Sequence, residues 1–136
     1  GFEFVTRKIS SSVAKIKNGK QKYLYLGNMD AKRDWGHAKD YVKAMWLMLQ
    51  QTKPSDFVIG TGKMNSVRDF AKLAFKTVGL DYKRYVKFNK NLLRPAEVKT
   101  LRANYKRARR VLNWKPTVNF EQLVKEMVNA DLKFFK

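Results

Sequence analysis

The 136-residue chain contains no cysteine, a single histidine (His37) and three prolines. The absence of cysteine excludes disulfide bonds, thiol nucleophiles, iron–sulfur clusters and cysteine-based zinc sites. A lone histidine needs carboxylates beside it to hold a metal ion, so we predict no metal site. No apolar run approaches the roughly 18 residues of a membrane-spanning helix, and no amphipathic stretch stands apart as an anchor. We therefore predict no membrane partner.

Acidic residues are also scarce, because 11 Asp and Glu stand against 30 Lys and Arg and give a net charge of +19. A charge of this size repels itself unless a polyanion or salt neutralises it, which makes nucleic acid the first partner to consider. Lys outnumbers Arg 21 to 9, a bias expected of an AT-rich gene and so of an organelle or an AT-rich genome. Because the chain opens on Gly1 rather than Met, we expect an N-terminal piece to have been removed or to lie outside it; no signal peptide is visible.

The length favours one domain covering residues 1–136, and helical and extended patterns alternate along it. Apolar spacing predicts helices over 4–17 and 38–50, after Ser66, after Asn104, and at the C-terminal end. Short apolar runs predict strands at 22–26, 56–62 and 85–88. The run DFVIGTG at 56–62 is bounded by glycines, which is typical of a strand buried on both faces of a parallel sheet. The alternation predicts an α/β layer structure.

The same spacing predicts which helix faces are buried. The second helix is expected to turn inward Ala38, Tyr41, Val42, Met45 and Leu49. The last helix is expected to bury Phe120, Leu123, Met127, Ala130 and Phe134. In the helix after Asn104, the predicted apolar stripe is Tyr105, Ala108 and Leu112.

The stretch RDWGH at 33–37 allows more than one interpretation. Arg33 and Asp34 form either a surface ion pair of little energetic value or part of a phosphate-binding wall. Trp35 is favoured as a core residue rather than a base-stacking platform. His37, one residue before a helix, is favoured as a hydrogen-bonded structural residue rather than a catalyst.

Several motifs in order carry a resemblance. They are FVTRKI at 4–9, YLGNMDAKRDWGHAKDYVKAMWLMLQ at 25–50, DFVIGTG followed by SVRDF, LRPAEV at 93–98, LNWKP at 112–116, and LVKEMVNADL at 123–132. Together they resemble the C-terminal half of the GDP-mannose 4,6-dehydratases, which are extended short-chain dehydrogenase/reductases. The resemblance implies an α/β fold: the C-terminal half of a Rossmann-type protein, with a partial parallel sheet and a small sugar-nucleotide lobe.

The resemblance also implies a substrate site but no catalytic residue. The residues that would touch a GDP-sugar are Lys8, Arg33, Arg94 and Glu97. Alone, Lys8 equally suits a solvated helix face, and Arg94 with Glu97 equally suits a neutralised turn. The Gly-rich dinucleotide fingerprint is absent, and none of the six tyrosines has a Lys four residues later. NADP is therefore expected only if a separate N-terminal half completes the fold.

A basic segment is the feature that a dehydratase does not explain. Between Tyr82 and Lys115 there are 12 Lys and Arg and one acid, Glu97. Like charges spaced along a helix are destabilising unless something negative faces them, and RNA phosphates fit that description. The expected RNA-phosphate contacts are Lys83, Arg84, Lys87, Lys90, Arg102, Lys106, Arg107, Arg109, Arg110 and Lys115. Tyr82, Tyr85, Phe88 and Tyr105 interleave with them, and two or three of these are expected in the core.

Two hypotheses follow. The favoured one is a catalytically inactive, dehydratase-derived component of a ribonucleoprotein, with a mitochondrial ribosome as the setting, and rRNA and neighbouring proteins as partners. The alternative is a C-terminal fragment or split subunit of GDP-mannose 4,6-dehydratase, completed by a separate chain. The alternative explains the four substrate residues, and the favoured hypothesis explains the charge. In neither case is the chain expected to be an enzyme by itself.

Overall fold

Six α-helices and four short strands alternate along the chain, as the sequence predicts, in a computed structural model that describes all of residues 1–136. The helices are α1 (Val5–Lys17), α2 (Ala38–Leu49), α3 (Val67–Thr77), α4 (Tyr82–Tyr85), α5 (Lys106–Leu112) and α6 (Phe120–Phe134). The strands are β1 (Leu24–Leu26), β2 (Lys32–Arg33), β3 (Asn65–Ser66) and β4 (Val86–Phe88), and a 3-10 helix covers Lys90–Leu92.

The chain divides into two compact units, each assembled from separate segments. Unit 1 comprises Gly1–Ala31, Ser66–Lys99 and Val124–Lys136, and unit 2 comprises Lys32–Asn65 and Thr100–Leu123. The single-domain assignment stays a prediction, because a compact unit is defined by its contacts and a domain by independent folding.

In unit 1, two of the strands that the sequence predicts form a parallel pair. β1 and β4 pair in register Leu24 with Val86, Tyr25 with Lys87 and Leu26 with Phe88. Leu24 and Leu26 are buried while Tyr25 faces solvent, so the sheet has one covered face. β2 and β3 form the only other sheet, also of two strands, so the parallel sheet is indeed partial.

Local signals set the ends of the helices in unit 1. Ser66 accepts a hydrogen bond from the backbone N–H of Asp69, and the Asp69 carboxylate accepts one from the backbone N–H of Ser66, which makes a complete capping box for α3. α1 ends where Gly19 takes a positive φ of 70°, as the Asn18-Gly19 pair predicts. α1 packs against α3, burying Ile9 and Val13 of α1 and Phe70 of α3.

The buried face of α6 differs from the predicted one. Ala130 and Phe134 are exposed, whereas Val124, Val128 and Asp131 are completely or almost completely buried. Asp131 shifts the face because its carboxylate is held inside unit 1. Ser10 donates a hydrogen bond of 2.6 Å to Oδ2, and a guanidinium nitrogen of Arg7 lies 2.7 Å from Oδ1.

Unit 2 is organised around Trp114. Trp114, Ala44, Ala108 and Leu112 form a buried cluster. The predicted stripe of α5 is confirmed, since Ala108 and Leu112 are buried and Tyr105 packs against them. Asn104 also acts near the start of α5, where its side chain accepts a hydrogen bond from the backbone N–H of Lys106 at 3.2 Å.

The predicted inward face of α2 is wrong in part. Tyr41, Ala44, Leu47 and Met48 pack on or within the Trp114 cluster, while Val42, Met45 and Leu49 are exposed. The rotation has a physical cause, because Asp40 is buried and bonded to the segment after α5. A buried carboxylate on the first turn fixes which side of the helix faces the cluster.

The predicted strand at 56–62 is not a paired strand. Residues 54–59 have no assigned secondary structure, and burial alternates as in an extended chain, so that Phe57 and Ile59 face the Trp114 cluster while Val58 is exposed. The expected burial on both faces is therefore wrong. No neighbouring strand pairs with this segment, and Val58 on its second face is exposed.

We expect Asp131→Ala to destabilise the protein by about 2–4 kcal/mol. The change removes the hydrogen-bond acceptor of the Ser10 hydroxyl and the negative charge that pairs with the Arg7 guanidinium. The loss is smaller than for a fully buried pair, since the Arg7 side chain is 40% exposed. Urea denaturation followed by circular dichroism measures it. Asn129→Ala, at an exposed position of the same helix, should change stability by less than about 0.5 kcal/mol. Equal effects at the two positions would contradict a structural role for Asp131.

Candidate functional site

The Asp34 carboxylate joins three segments of unit 2 that are far apart in sequence. Oδ1 accepts hydrogen bonds from the Thr61 backbone N–H at 2.9 Å and the Thr61 hydroxyl at 2.5 Å. Oδ2 accepts from the backbone N–H groups of Gly62 at 2.8 Å and Ala103 at 3.1 Å. Gly62 has a φ of 74°, a conformation that glycine adopts without steric cost. Asp34 therefore has a structural role, and it fixes the backbone that carries Arg33.

His37 caps α2, as the structural interpretation predicts. Its Nδ1 accepts a hydrogen bond from the backbone N–H of Lys39 at 3.1 Å, which satisfies one of the unpaired donors of the first turn. Trp35 is half-buried and stacks on Phe120 with ring centroids 6.1 Å apart. Both aromatic side chains of the RDWGH stretch thus have structural contacts inside unit 2.

Asp40 is a second carboxylate that joins distant segments of unit 2. It accepts hydrogen bonds from the Thr117 hydroxyl at 2.6 Å and from the backbone N–H groups of Thr117 and Val118 at 2.9 and 3.1 Å. Its backbone carbonyl accepts from the Trp114 indole at 2.8 Å. Burial alone would raise the pKa of Asp40, but these hydrogen bonds to the ionised form outweigh burial, so its pKa lies below the ordinary value.

Tyr41 is the tyrosine nearest to these carboxylates, and its environment is the opposite of what a catalytic base needs. Burial and the negative charges of Asp34 and Asp40 raise its pKa above the ordinary value. The hydroxyl therefore stays protonated at neutral pH. A side chain at Gly36 would collide with this hydroxyl, so glycine is required there for packing.

The four predicted substrate residues fall in both units. Arg33 is half-buried in β2 of unit 2 and donates a hydrogen bond of 2.8 Å to the Lys32 carbonyl. Lys8 is half-buried in α1 of unit 1, where burial lowers its pKa. Arg94 is exposed and Glu97 half-buried, on either side of the turn at 95–96 in unit 1. The substrate role of all four stays a prediction.

Unit 1 also has a cleft of about 500 Å³ that the sequence analysis missed. Asp30 and Arg68 form an ion pair of 3.1 Å there, and hydrogen bonds with Asp30 and Tyr82 raise the pKa of Arg68. The Asn28-x-Asp30 spacing could have indicated a turn at this edge of the cleft. The Asn28 side chain accepts a hydrogen bond from the Asp30 backbone N–H, as in such turns. The cleft is lined by Gly27, Asn28, Met29, Asp30, Arg68, Tyr82, Lys83, Val86, Phe88 and Leu93.

All ten residues predicted to contact RNA phosphate are exposed, but they are divided between the units. Some have partners within the protein. Arg107 donates to the Ser55 hydroxyl at 2.7 Å and to the Asp56 carbonyl, and it lies over the Phe57 ring. Lys87 lies over the Tyr23 ring at 4.7 Å.

The aromatic residues interleaved with these charges are partly structural. Tyr85 stacks on Phe75 with centroids 5.6 Å apart, and Tyr105 packs edge-on against Trp114. Phe88 is exposed. Tyr82, Tyr85 and Tyr105 are half-buried and none of the four is fully buried, so the expectation that two or three belong to the core is wrong.

No helix has the length and apolar character needed to cross a membrane. No group of three or more His, Asp or Glu side chains is arranged to hold a metal ion.

The fold is that of the extended short-chain dehydrogenase/reductases. RMD from Pseudomonas aeruginosa, solved with NADPH, superposes with a TM-score of 0.88 at 19% identity and covers 98% of this chain and 44% of its own. UDP-glucose 4-epimerase from Thermotoga maritima gives a TM-score of 0.80 at 24% identity, covering 100% of this chain and 41% of its own. These similarities confirm the predicted fold class, an α/β part of a larger Rossmann-type fold.

Sequence comparison then identifies the family. The family model for GDP-mannose 4,6 dehydratase matches residues 1–127. GDP-mannose 4,6 dehydratase 2 of Arabidopsis thaliana is 50% identical over all of this chain and 36% of its own length, and the human enzyme is 47% identical over all of this chain and 41% of its own. The chain belongs to the GDP-mannose 4,6 dehydratase family and spans about two fifths of the length of these relatives.

The prediction of a ribosomal, RNA-binding protein is wrong. The relatives that match the whole chain, basic segment included, are GDP-mannose 4,6 dehydratases, with identities of 45–50% in plant, animal and slime-mould proteins. A high net charge is a property of the sum of side chains and does not specify a partner. The mitochondrial setting rests on the ribosomal interpretation and loses its support with it.

Asp34→Ala should destabilise the protein by about 2–4 kcal/mol, because four donors lose their common acceptor. Asp34→Asn should cost less, since its remaining oxygen still accepts from some of them. Asp56→Ala is the matched control, because the structure uses only the backbone carbonyl of that exposed residue. Thermal and urea unfolding give the comparison, and a neutral Asp34→Ala would contradict the joining role.

The lowered pKa of Asp40 predicts that the stability of the protein depends on pH. Its folded pKa is lower than the unfolded value of about 3.9, so its contribution is fully present above that value and is lost as pH falls through the folded pKa. Asp40→Asn should therefore be less stable at pH 7 and show a flatter decline below pH of about 4. Urea midpoints measured from neutral to strongly acidic pH test this. Asp56→Asn should leave the slope unchanged, and a slope unaffected by Asp40→Asn would refute the assignment.

Proposed function

We propose that the chain is the sugar-nucleotide-binding part of a GDP-mannose 4,6-dehydratase, a split subunit or fragment that becomes active when a part carrying the dinucleotide site completes it. The reaction would be the NADP-dependent conversion of GDP-mannose to GDP-4-dehydro-6-deoxy-mannose. The observation that supports this most directly is the family match over residues 1–127, which contains all four predicted substrate residues.

The four residues have the chemistry that a nucleoside-diphosphate sugar requires. The guanidinium groups of Arg33 and Arg94 present planar forks to diphosphate oxygens, and Lys8 adds a point charge. Glu97 carries a carboxylate that accepts hydrogen bonds from ribose hydroxyls. Arg33 is the best supported of them, because the Asp34 hydrogen bonds hold its backbone and leave little to be ordered on binding.

Lys8 contributes to binding only in its protonated form. Burial favours the neutral amine and lowers its pKa, whereas a bound diphosphate favours the ammonium and would raise it again. Diphosphate binding should therefore be accompanied by proton uptake at alkaline pH.

The residues of this chain do not fit a dinucleotide cofactor. Gly60-Thr61-Gly62 is its nearest approach to a glycine-rich phosphate loop, but the backbone N–H groups of Thr61 and Gly62 already donate to Asp34. They are not available to a pyrophosphate. The raised pKa of Tyr41 likewise makes it unsuitable as the general base. A completing part would have to supply both functions.

Isothermal titration with GDP tests the substrate site. We expect Arg33→Ala and Arg94→Ala to weaken GDP binding by roughly 10- to 100-fold each, since a charge-assisted bidentate contact is worth about 1.5–3 kcal/mol. Arg33→Lys should recover only part of the loss, because a lysine cannot make the bidentate contact. Arg110→Ala, an exposed arginine of α5, is the control and should bind as the wild type does.

The titration is made with the chain alone and again with the N-terminal part of the Arabidopsis relative added. Product formation from GDP-mannose and NADP in the mixture is the positive outcome for the whole proposal. GDP binding that responds equally to Arg33→Ala and Arg110→Ala would show non-specific attraction to a basic protein and overturn the site assignment.

A further inference from the structure

Asn18, at the end of α1, is followed by a glycine, and the other eight asparagines of the chain are not. The side-chain amide of an asparagine can react with the backbone nitrogen of the next residue, and a glycine there leaves that nitrogen without a neighbouring Cβ. The reaction is intramolecular, since both atoms belong to adjacent residues. Asn18 and Gly19 are exposed, and a Cβ at Gly19 would meet nothing within 4 Å. Water therefore has free access to this pair.

The structure holds both reacting groups in hydrogen bonds. The Asn18 side-chain amide donates to the Phe135 carbonyl at 2.9 Å, which joins the end of α1 to the residue after α6. The Gly19 backbone N–H donates to the Ile16 carbonyl at 3.1 Å. A cyclic imide forms only when the Gly19 nitrogen reaches the side-chain carbon of Asn18, so both hydrogen bonds must open first.

The end of α6 is fixed to this part of unit 1 by further contacts. The Lys20 ammonium donates to the carbonyls of Phe135 and Lys136 at 2.9 and 2.8 Å. The Lys15 ammonium lies over the Phe135 ring, 4.6 Å from its centroid. The carbonyl that accepts from Asn18 is thus held in place by its neighbours, and its hydrogen bond opens less often than one at a fraying helix end.

We propose that Asn18 is a site of spontaneous deamidation and that the end of α6 slows the reaction. The Gly19 nitrogen loses its proton and bonds to the side-chain carbon of Asn18, and the side-chain nitrogen leaves as ammonia. Water then opens the imide at either carbonyl and gives aspartate or isoaspartate at position 18. No electron is transferred, and water is the co-reactant. The modification is independent of the proposed function, because none of the four predicted substrate residues takes part in it.

Deamidation changes the contact between α1 and the end of α6. The new carboxylate replaces an N–H donor with an acceptor opposite the Phe135 carbonyl, so a hydrogen bond becomes a repulsion. It also places a negative charge at the C-terminal end of α1, where the helix dipole disfavours it. The Lys20 ammonium offsets part of that charge. Deamidation of Asn18 therefore loosens the end of α6.

The first test incubates the wild-type chain at mildly alkaline pH and follows residue 18 by mass spectrometry of proteolytic fragments. Conversion should be roughly 10- to 100-fold faster in concentrated guanidinium chloride than in buffer, since two hydrogen bonds no longer have to open. Asn104, exposed and followed by tyrosine, is the internal control and should convert far more slowly. Conversion at Asn18 no faster than at Asn104 in denaturant overturns the site, and equal rates at Asn18 in both solvents overturn its protection.

Phe135→Ala tests the role of α6 without changing the Asn-Gly pair. It removes the ring that the Lys15 ammonium covers, so conversion in buffer should become about 3- to 10-fold faster. Lys133→Ala, at an exposed position of the same helix, should convert at the wild-type rate. Circular dichroism checks that both variants are folded, and the wild-type comparison decides if one is not. Equal rates in folded Phe135→Ala and Lys133→Ala would overturn protection by α6.

Asn18→Asp makes one modified form directly. Its melting temperature should be about 3–6 °C below that of the wild type. Asn129→Asp adds the same charge at an exposed position of α6 and should shift melting by less than about 2 °C. Equal melting of Asn18→Asp and the wild type would refute the loosening of α6.

Discussion

The fold of unit 2 depends on the hydrogen bonds that the Asp34 carboxylate accepts from N–H and O–H donors. Asp34 binds Thr61, Gly62 and Ala103, and so holds the end of the extended segment and the approach to α5 beside β2. Six residues later, Asp40 binds Thr117 and Val118 and holds the chain after α5 at the first turn of α2. Asp40 is buried and Asp34 half-buried, and a carboxylate removed from water is costly unless its hydrogen bonds are made, so each aspartate admits few alternative arrangements of these segments.

These carboxylates change how the RDWGH stretch is understood. As sequence it resembles the polar wall of a catalytic site, yet His37 is a helix cap, Asp34 joins segments, and Trp35 packs on Phe120. Arg33 is the residue of the stretch assigned here to the substrate. A rigid support beside one guanidinium group is what recognition of a diphosphate requires, because it limits the entropy lost on binding. If Arg33 binds the diphosphate as proposed, structural and binding roles coincide within five residues.

How far the sequence predicts the structure depends on how local each determinant is. α1, α3, β1 and β4 are predicted well because caps, glycines and short apolar runs act within a few residues. The inward faces of α2 and α6 are mispredicted because Asp40 and Asp131 are buried through partners more than 70 positions away, which no spacing rule detects. The cleft at Asp30 and Arg68 was missed for the same reason, since its walls come from segments 38 residues apart.

The strand expected at 56–62 was also mispredicted, and the error shows which side of this segment is left exposed. Its composition specifies a segment covered on both sides, and the alternation of burial shows that the Trp114 cluster covers one side alone. Net charge suggested a polyanion as the missing partner, but charge acts at a distance and indicates no position on the surface. Unpaired main-chain groups and exposed apolar side chains do indicate a position, because a partner must contact them to satisfy them. In this chain the exposed apolar side chains lie on α2 and at Val58, and a phosphate backbone has no apolar surface with which to cover them.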